Sequence, residues 1–216
     1  MIMEVLNIKD LSKSFSGVKV LSKLNLSVIE GDMIAIIGGS GKGKTTLLNI
    51  IGLIADKDEG DIKIFDYINP SINSKEAMLL RRNNIGYLFQ NFALVEEETV
   101  FWNLDLALEY KKINKKQRIK LIEDQLKKFN LMGLKNKKVY QLSGGEQQRI
   151  AIIRLILQDS KLILADEPTA SLDKVNEEII MKSLKDLNNE GKTIIVVTHN
   201  DNILQYFNRI ISLEDI

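Results

Sequence analysis

Cysteine is absent from the 216 residues, proline occurs only twice and histidine only once. Without cysteine the chain can form neither disulfides nor thiolate metal sites, which agrees with a reducing compartment. Neither Pro70 nor Pro168 lies in a Gly/Ser-rich linker, and no repeat or low-complexity tract divides the sequence. We therefore expect residues 1–216 to form one domain with a substantial core.

The sequence also has no excess of one charge and no long apolar run. Thirty basic and twenty-nine acidic residues give a net charge of +1, so bulk charge gives no reason to expect a nucleic-acid partner. Apolar runs such as TIIVV, residues 193–197, have the length of a strand and not of a membrane span. The first ten residues carry Glu4 and Asp10 and do not match a signal peptide. We expect a cytoplasmic protein that reaches a membrane only through a partner.

The glycines are concentrated in the stretch IIGGSGKGKTT, residues 36–46. The apolar run before it predicts a buried strand, and the apolar residues after it, through Ile54, recur at helical spacing. Glycine can take positive φ angles and turn backbone N–H groups toward an anion. The pattern G-x-x-x-x-G-K-S/T therefore predicts a phosphate-binding loop in which Lys44 reaches the terminal phosphates and Thr45 binds magnesium. The residues expected to contact the nucleotide here are Gly38, Gly39, Ser40, Gly41, Lys42, Gly43, Lys44, Thr45 and Thr46.

A phosphate loop alone is compatible with kinases, GTPases, motors and transporters. An apolar strand within LILADEP, residues 162–168, ends in two acidic residues. A carboxylate at the end of a buried strand beside a phosphate loop can hold magnesium, and this predicts a metal role for Asp166. Glu167 can then polarise an attacking water as a general base. Without the loop, such a pair would more simply cap a helix.

The segment LSGGEQQR, residues 142–149, precedes an apolar helical stretch. Ser143, Gly144 and Gly145 at the start of a helix offer a second group of N–H donors for a phosphate. Ser143 and Glu146 also fit a capping box, and both interpretations can hold together. One triphosphate needs only one cradle, so two such helix ends predict a head-to-tail dimer in which each chain closes over the γ-phosphate held by the other.

The remaining sequence predicts an α/β fold. Residues 1–30 alternate as antiparallel strands do, and residues 107–134 are helical, with Ile119, Ile122, Leu126 and Phe129 on one face. Buried parallel strands return at LILAD and TIIVV, separated by a helix. The expected boundaries are about 1–90 and 158–216 for a mixed β-core, which includes an N-terminal antiparallel β-subdomain, and about 91–157 for an inserted α-helical subdomain.

These motifs, with SLD at 171–173 and VVTHN ending at Asn200, resemble the ATP-binding cassette (ABC) family over nearly the whole chain. The resemblance implies a P-loop NTPase fold of the cassette type and an ATPase that uses ATP and Mg2+. It implies that Phe15 stacks on adenine, that Gln90 senses magnesium and the attacking water, and that His199 contacts the γ-phosphate. It also implies a further set of nucleotide-contacting residues, namely Ser143, Gly144, Gly145, Glu146 and Asp173.

Three positions depart from the common pattern of that family. Phe15 stands where tyrosine is common, Lys42 where serine is common and Asn200 where aspartate is frequent. None of these differences removes a catalytic group, so we expect a working ATPase.

The resemblance implies a partner, a separate integral-membrane permease docked near Gln90, which would place the protein on the inner face of the cell membrane. Aromatic residues are concentrated there, either as core or as the lining of a groove for a partner helix: Tyr87, Phe89, Phe92, Phe101 and Trp102. Within the family the chain most resembles ATPases of the macrolide-export and lipoprotein-release type, especially those of bacteriocin export of the lactococcin kind. Export of a peptide, lipoprotein or drug is the implied function. A homodimer and a heterodimer with another cassette both stay open, as do two other functions, cell-division-type signalling and phosphotransfer.

Overall fold

The computed structural model describes residues 3–39, 41–170 and 172–213, and within these ranges the strands form two sheets. The first is antiparallel, with the order β2-β1-β4-β5. Its strands are β1 (Glu4–Phe15), β2 (Val18–Ile29), β4 (Glu59–Ile64) and β5 (Tyr67–Ile68). Leu6 of β1 pairs with Val28 of β2 on one side and Ile64 of β4 on the other, and all three side chains are fully buried. The antiparallel strands predicted for residues 1–30 are present.

The second sheet is parallel and has the order β6-β7-β8-β3-β9. Its strands are β3 (Met33–Ile37), β6 (Ile85–Leu88), β7 (Leu162–Asp166), β8 (Thr193–Val197) and β9 (Arg209–Ser212). Every residue of β7 and β8 is buried, as expected for strands covered on both faces. The carboxyl ends of parallel strands meet at one edge, so the segments that follow β3, β7 and β8 come together there.

The helices are α1 (Lys44–Ile51), α2 (Lys75–Asn83), α3 (Val100–Asp105), α4 (Lys115–Lys128), α5 (Gly144–Gln158) and α6 (Lys174–Asn189). In α4, Ile122 and Leu126 are fully buried in a helical cluster, as the predicted apolar face requires. α5 is shared, because Ile150 and Ile153 pack into that cluster whereas Ile152 packs against the parallel sheet. α5 therefore links the helical part of the molecule to the sheet.

Two details differ from the sequence prediction. The helix after the glycine-rich loop ends at Ile51, and Ile54 is 44% exposed instead of lying on its apolar face. Leu53 has φ of 56°, a left-handed conformation that an α-helix cannot continue through. The sequence pattern also does not predict strands at β4, β5, β6 and β9, because they are short or lie among turn-forming residues. None of the described helices has both the length and the apolar character needed to cross a membrane.

Candidate nucleotide site

The glycine-rich loop connects β3 to α1 and is built from left-handed backbone. Gly41 and Gly43 have φ of 75° and 91°, and Gly43 is the N-cap of α1. A Cβ at Gly43 would lie 2.8 Å from Val20 Cγ1 and 3.0 Å from the Val20 carbonyl oxygen. No side chain of the described residues caps α1, so its first N–H groups are available to an anion. The local geometry is that of a phosphate cradle.

Lys44 extends back across the start of this loop. Its Nζ donates hydrogen bonds to the carbonyl oxygens of Gly38, at 2.8 Å, and Gly39, at 3.0 Å. The residue is only 8% exposed, so its charge is held at the cradle instead of in bulk solvent. An ammonium group has three donors and can therefore brace the loop and contact a phosphate at the same time.

Asp166 ends β7 directly behind the loop. Thr45 Oγ1 donates a hydrogen bond to Asp166 Oδ1 at 3.2 Å. Burial, at 5% exposure, raises the pKa of the Asp166 carboxyl above its usual value, and this outweighs the hydrogen bond from Thr45. Neighbouring hydroxyl and carboxylate oxygens are the donors that magnesium prefers. Among the described residues no three His, Cys, Asp or Glu side chains cluster as metal ligands.

Glu167 and His199 form a pair at the same sheet edge. Glu167 Oε1 lies 2.7 Å from His199 Nδ1, and Oε2 accepts hydrogen bonds from Thr198 Oγ1 at 3.2 Å and from His199 N at 3.3 Å. The carboxylate is 11% exposed, whereas the imidazole is 70% exposed. Glu167 has φ of 45°, and its N–H donates to the Val197 carbonyl oxygen at 3.0 Å. The segments that follow β7 and β8 thus hold the Glu167 carboxylate in a position from which it can accept a proton.

An open pocket of about 560 Å³ brings most of the predicted residues together. Its wall contains Gly38, Gly39, Gly41, Gly43, Lys44, Thr45, Thr46, Gln90, Glu167 and His199. Val20 of β2 also lines it and was not predicted; the sequence gives no signal for this residue beyond its place in an early strand. Lys42 is exposed and is not part of the wall, and Ser40 lies outside the described residues.

The other predicted residues are not in this wall. Phe15 is 51% exposed at the end of β1, with Lys13 Nζ 5.4 Å from the centre of its ring. Ser143 caps α5 in the predicted capping box with Glu146, and a hydrogen bond from the Ser143 backbone lowers the pKa of the Glu146 carboxyl. Asp173 caps α6 by accepting hydrogen bonds from Asn176, which lower its pKa. Gly144 and Gly145 form the first turn of α5.

The aromatic residues near Gln90 divide into two groups. Tyr87 and Phe89 stack with ring centres 4.0 Å apart, and the Tyr87 hydroxyl hydrogen-bonds to Asn49 Oδ1 at 2.8 Å. Phe92 and Phe101 are partly buried against the cores, whereas Trp102 is 39% exposed. Most of this cluster is therefore packing, and Trp102 is the member that faces solvent.

Comparisons with known proteins agree with this geometry. The sequence profile of the ABC transporter family matches residues 21–170. The chain is 38% identical over 217 residues to the macrolide export ATP-binding/permease protein MacB of Mannheimia succiniciproducens, covering 99% of this chain but 34% of that protein. It is 38% identical to the ABC transporter ATP-binding protein MJ0796 of Methanocaldococcus jannaschii, covering 98% and 94% of the two chains. The chain thus spans about a third of the macrolide-export relatives it matches.

Two solved structures of MJ0796 are similar to this structure. One is described as a dimeric post-hydrolysis state bound to ADP and Pi, with a TM-score of 0.89 and 37% identity over 96% of this chain and 93% of that one. A second dimeric structure of the same cassette also has a TM-score of 0.89. This agreement confirms the predicted α/β fold of the cassette type, in which an antiparallel and a parallel sheet are combined with helices.

Proposed function

Because the chain belongs to the ABC transporter family and is an ATP-binding ATPase of that family, we propose that it powers export of a substrate through a separate integral-membrane permease. The observation that carries the proposal is the pocket in which Lys44, Thr45, Glu167 and His199 meet at one sheet edge. The names of similar proteins refer to macrolide export and to a transporter, which favours transport over cell-division-type signalling. The exported substrate that we propose is a peptide of the bacteriocin class, supported by the sequence resemblance described above.

The pocket residues would share the work of binding ATP. The loop N–H groups and Lys44 bind the β- and γ-phosphates, and Phe15 stacks on adenine from the end of β1. Thr45 and Gln90 would supply oxygen ligands to Mg2+, and Asp166, which is hydrogen-bonded to Thr45, would help to hold the ion. When bound, magnesium neutralises charge on the phosphates. The complete set proposed for the loop is Gly38, Gly39, Ser40, Gly41, Lys42, Gly43, Lys44, Thr45 and Thr46.

Hydrolysis would proceed by in-line attack of water on the γ-phosphorus. Glu167 accepts the proton of that water, the new P–O bond forms, and the bond to the β–γ bridging oxygen breaks to leave ADP and phosphate. Lys44 and the loop N–H groups stabilise the charge that develops on the phosphoryl oxygens. We propose that His199, whose Nδ1 lies 2.7 Å from Glu167 Oε1, orients the carboxylate and contacts the γ-phosphate.

A second chain completes the site in this proposal. Ser143, Gly144 and Gly145 stand at the start of a helix but are absent from the pocket wall of their own chain. In a head-to-tail dimer, this helix end, with Glu146 and Asp173 beside it, closes over the γ-phosphate bound by the partner. ATP then holds the two chains together, and hydrolysis releases them.

The permease would dock on an exposed stripe formed by Trp102, Leu106 and Tyr110, which are spaced four residues apart and are 39%, 42% and 61% exposed. The Arg82 guanidinium lies over the Tyr110 ring at 3.5 Å, and with Arg154 it lines an adjoining groove of about 620 Å³. This chemistry fits an amphipathic helix with acidic residues. Arg154 also donates to the carbonyl oxygens of residues 92 and 93, in the loop that carries Gln90. The groove thus touches the loop that reaches the nucleotide.

Mixed dimers test the shared site. Lys44→Ala disables the phosphate cradle and Ser143→Arg blocks the helix end, so each variant alone should be inactive. Mixing equal amounts should restore about a quarter of the parental ATPase rate, since half of randomly formed dimers are mixed and each keeps one intact site. The matched control mixes Lys44→Ala with Glu167→Gln, in which both pockets are broken, and should restore nothing. No recovery in the first mixture would refute the head-to-tail site.

The docking proposal has its own test. Replacing Leu106 and Tyr110 by aspartate should release the ATPase from the membrane fraction of cells, because the acidic permease helix would be repelled. ATP hydrolysis by the purified variant should stay at the parental rate. Full retention in the membrane fraction would refute this docking surface.

A further inference from the structure

Gln148 is a buried polar residue that none of the roles above uses. It lies on α5 one turn after Gly144 and is 2% exposed. Its Nε2 donates a hydrogen bond to the carbonyl oxygen of Pro168 at 2.5 Å, and its Oε1 is buried with no hydrogen-bond partner among the described residues. Burying an amide that is only half satisfied costs free energy. The hydrogen bond to the Pro168 carbonyl oxygen is therefore the one polar contact that can explain why this amide is buried here.

Pro168 directly follows the proposed general base. Glu167 has φ of 45°, an uncommon conformation for a residue with a Cβ, and a following proline restricts its backbone further. Such a conformation persists only when the surroundings hold it. The Glu167 N–H is bound to the Val197 carbonyl oxygen of β8, and the Pro168 carbonyl is bound to Gln148. These two hydrogen bonds hold the Glu167–Pro168 segment from both sides.

The start of α5 is also packed against the segment that follows Pro168. A Cβ on Gly145 would lie 2.8 Å from Asn176 Nδ2 at the start of α6, and the Arg149 guanidinium hydrogen-bonds to the same Asn176 side chain. Asn176 is in turn bound to Asp173. The first turns of α5 therefore contact both Pro168 and Asn176.

We propose that Gln148 is a positioning residue for Glu167: its amide holds the Pro168 carbonyl and thereby the carboxylate that accepts the proton of the attacking water. This inference rests on the proposed role of Glu167. Since Gln148 lies one turn from the helix end that closes on the partner's nucleotide, it also connects the two ATP sites of the dimer through one chain. Gln148 itself touches neither nucleotide.

The test replaces Gln148 by methionine, which has a similar volume but cannot donate the hydrogen bond. The matched control is Gln147→Met on the same helix, because Gln147 donates to the carbonyl oxygens of Val139 and Leu142 and not to Pro168. We expect Gln148→Met to lower kcat for ATP hydrolysis about tenfold, as small misplacements of a catalytic group do, with KM for ATP within about twofold of the parental value. Gln147→Met should leave kcat within about twofold of the parental value. Equal losses in the two variants, or no loss in Gln148→Met, would overturn the proposal.

A double-variant cycle separates positioning from general damage. If Gln148 acts through Glu167, adding Gln148→Met to Glu167→Gln should leave the residual single-turnover rate within about twofold, because the base is already missing. A further tenfold loss in that background would overturn the proposal. The double variant should still form an ATP-dependent dimer, and loss of the dimer would mean that Gln148 supports the helix end instead.

A replacement variant and the turnover of Glu167→Gln make the outcome interpretable. Gln148→Leu replaces the methionine variant if the latter does not fold, as judged by circular dichroism. Parental turnover in Glu167→Gln would refute the general-base assignment, and this inference with it. Slow turnover in Glu167→Gln together with normal turnover in Gln148→Met would refute the inference alone.

Discussion

Substituting alanine for Gly43 tests whether the phosphate loop is shaped by its contact with β2. At φ of 91° an alanine is strained by about 1–2 kcal/mol. Its Cβ would also lie 2.8 Å from Val20 Cγ1, 2.9 Å from Leu21 Cδ2 and 3.0 Å from the Val20 carbonyl oxygen. Overpacking of this kind costs about 1–3 kcal/mol, so Gly43→Ala should lose about 2–5 kcal/mol in the free energy of unfolding.

Gly41→Ala is the matched control. Gly41 has a similar φ of 75°, but a Cβ there would have no described heavy atom within 4 Å. It should therefore lose only the strain term, about 1–2 kcal/mol. Urea unfolding followed by circular dichroism without nucleotide measures both losses, with equal m-values as the condition for comparing them. Equal destabilisation of the two variants would refute the argument that β2 shapes the loop.

Three further predictions concern charged groups. Asp166→Asn should unfold at higher urea than the parent at neutral pH while losing ATP hydrolysis. Burial raises the pKa of Asp166 in the folded protein, so the parent loses stability as the pH rises above 3.8, the ordinary pKa of an aspartate. Equal stability of the parent and Asp166→Asn at pH 7 would contradict this argument. Asn200 Nδ2 donates a hydrogen bond to Glu177 Oε2 at 2.6 Å, so Asn200→Asp should lower the free energy of unfolding because the two carboxylates would repel each other. Adding Glu177→Gln should restore the stability in urea unfolding. No restoration would contradict the pairing of these two side chains. The hydrogen bond from the Ser143 backbone lowers the pKa of Glu146 in the folded protein, so its contribution to stability is present above 4.5, the ordinary pKa of a glutamate, and is lost on acidification. Glu146→Gln should lack this pH dependence in urea unfolding, and the same pH dependence in both proteins would contradict the argument.

The sequence was sufficient for the parts of the site that depend on local pattern. The glycine-rich loop between an apolar strand and a helix could be predicted because glycine and the apolar period each have a direct conformational meaning. Asp166 and Glu167 could be placed because they end an apolar strand, and parallel strands bring their carboxyl ends to one edge. The capping box at Ser143 could be predicted from two residues three apart.

Other features depend on contacts between segments distant in sequence. Val20 enters the pocket wall only because the β1–β2 hairpin packs on Gly43. From the sequence, Gln148 cannot be distinguished from other polar residues on a helix, because its contact with Pro168, 20 residues away, is made only in the folded chain. The short strands β4, β5, β6 and β9 have no hydrophobic periodicity that predicts a strand, and their pairing with neighbouring strands in the two sheets defines them.

The central claim is that ATP closes two chains over a shared site. The most direct test measures the mass of purified Glu167→Gln by light scattering, with and without ATP and magnesium. We expect Glu167→Gln to be a monomer without nucleotide and to have twice that mass with ATP and magnesium, and to stay a monomer throughout when Ser143→Arg is added. A protein that binds ATP yet keeps the monomer mass would contradict the account.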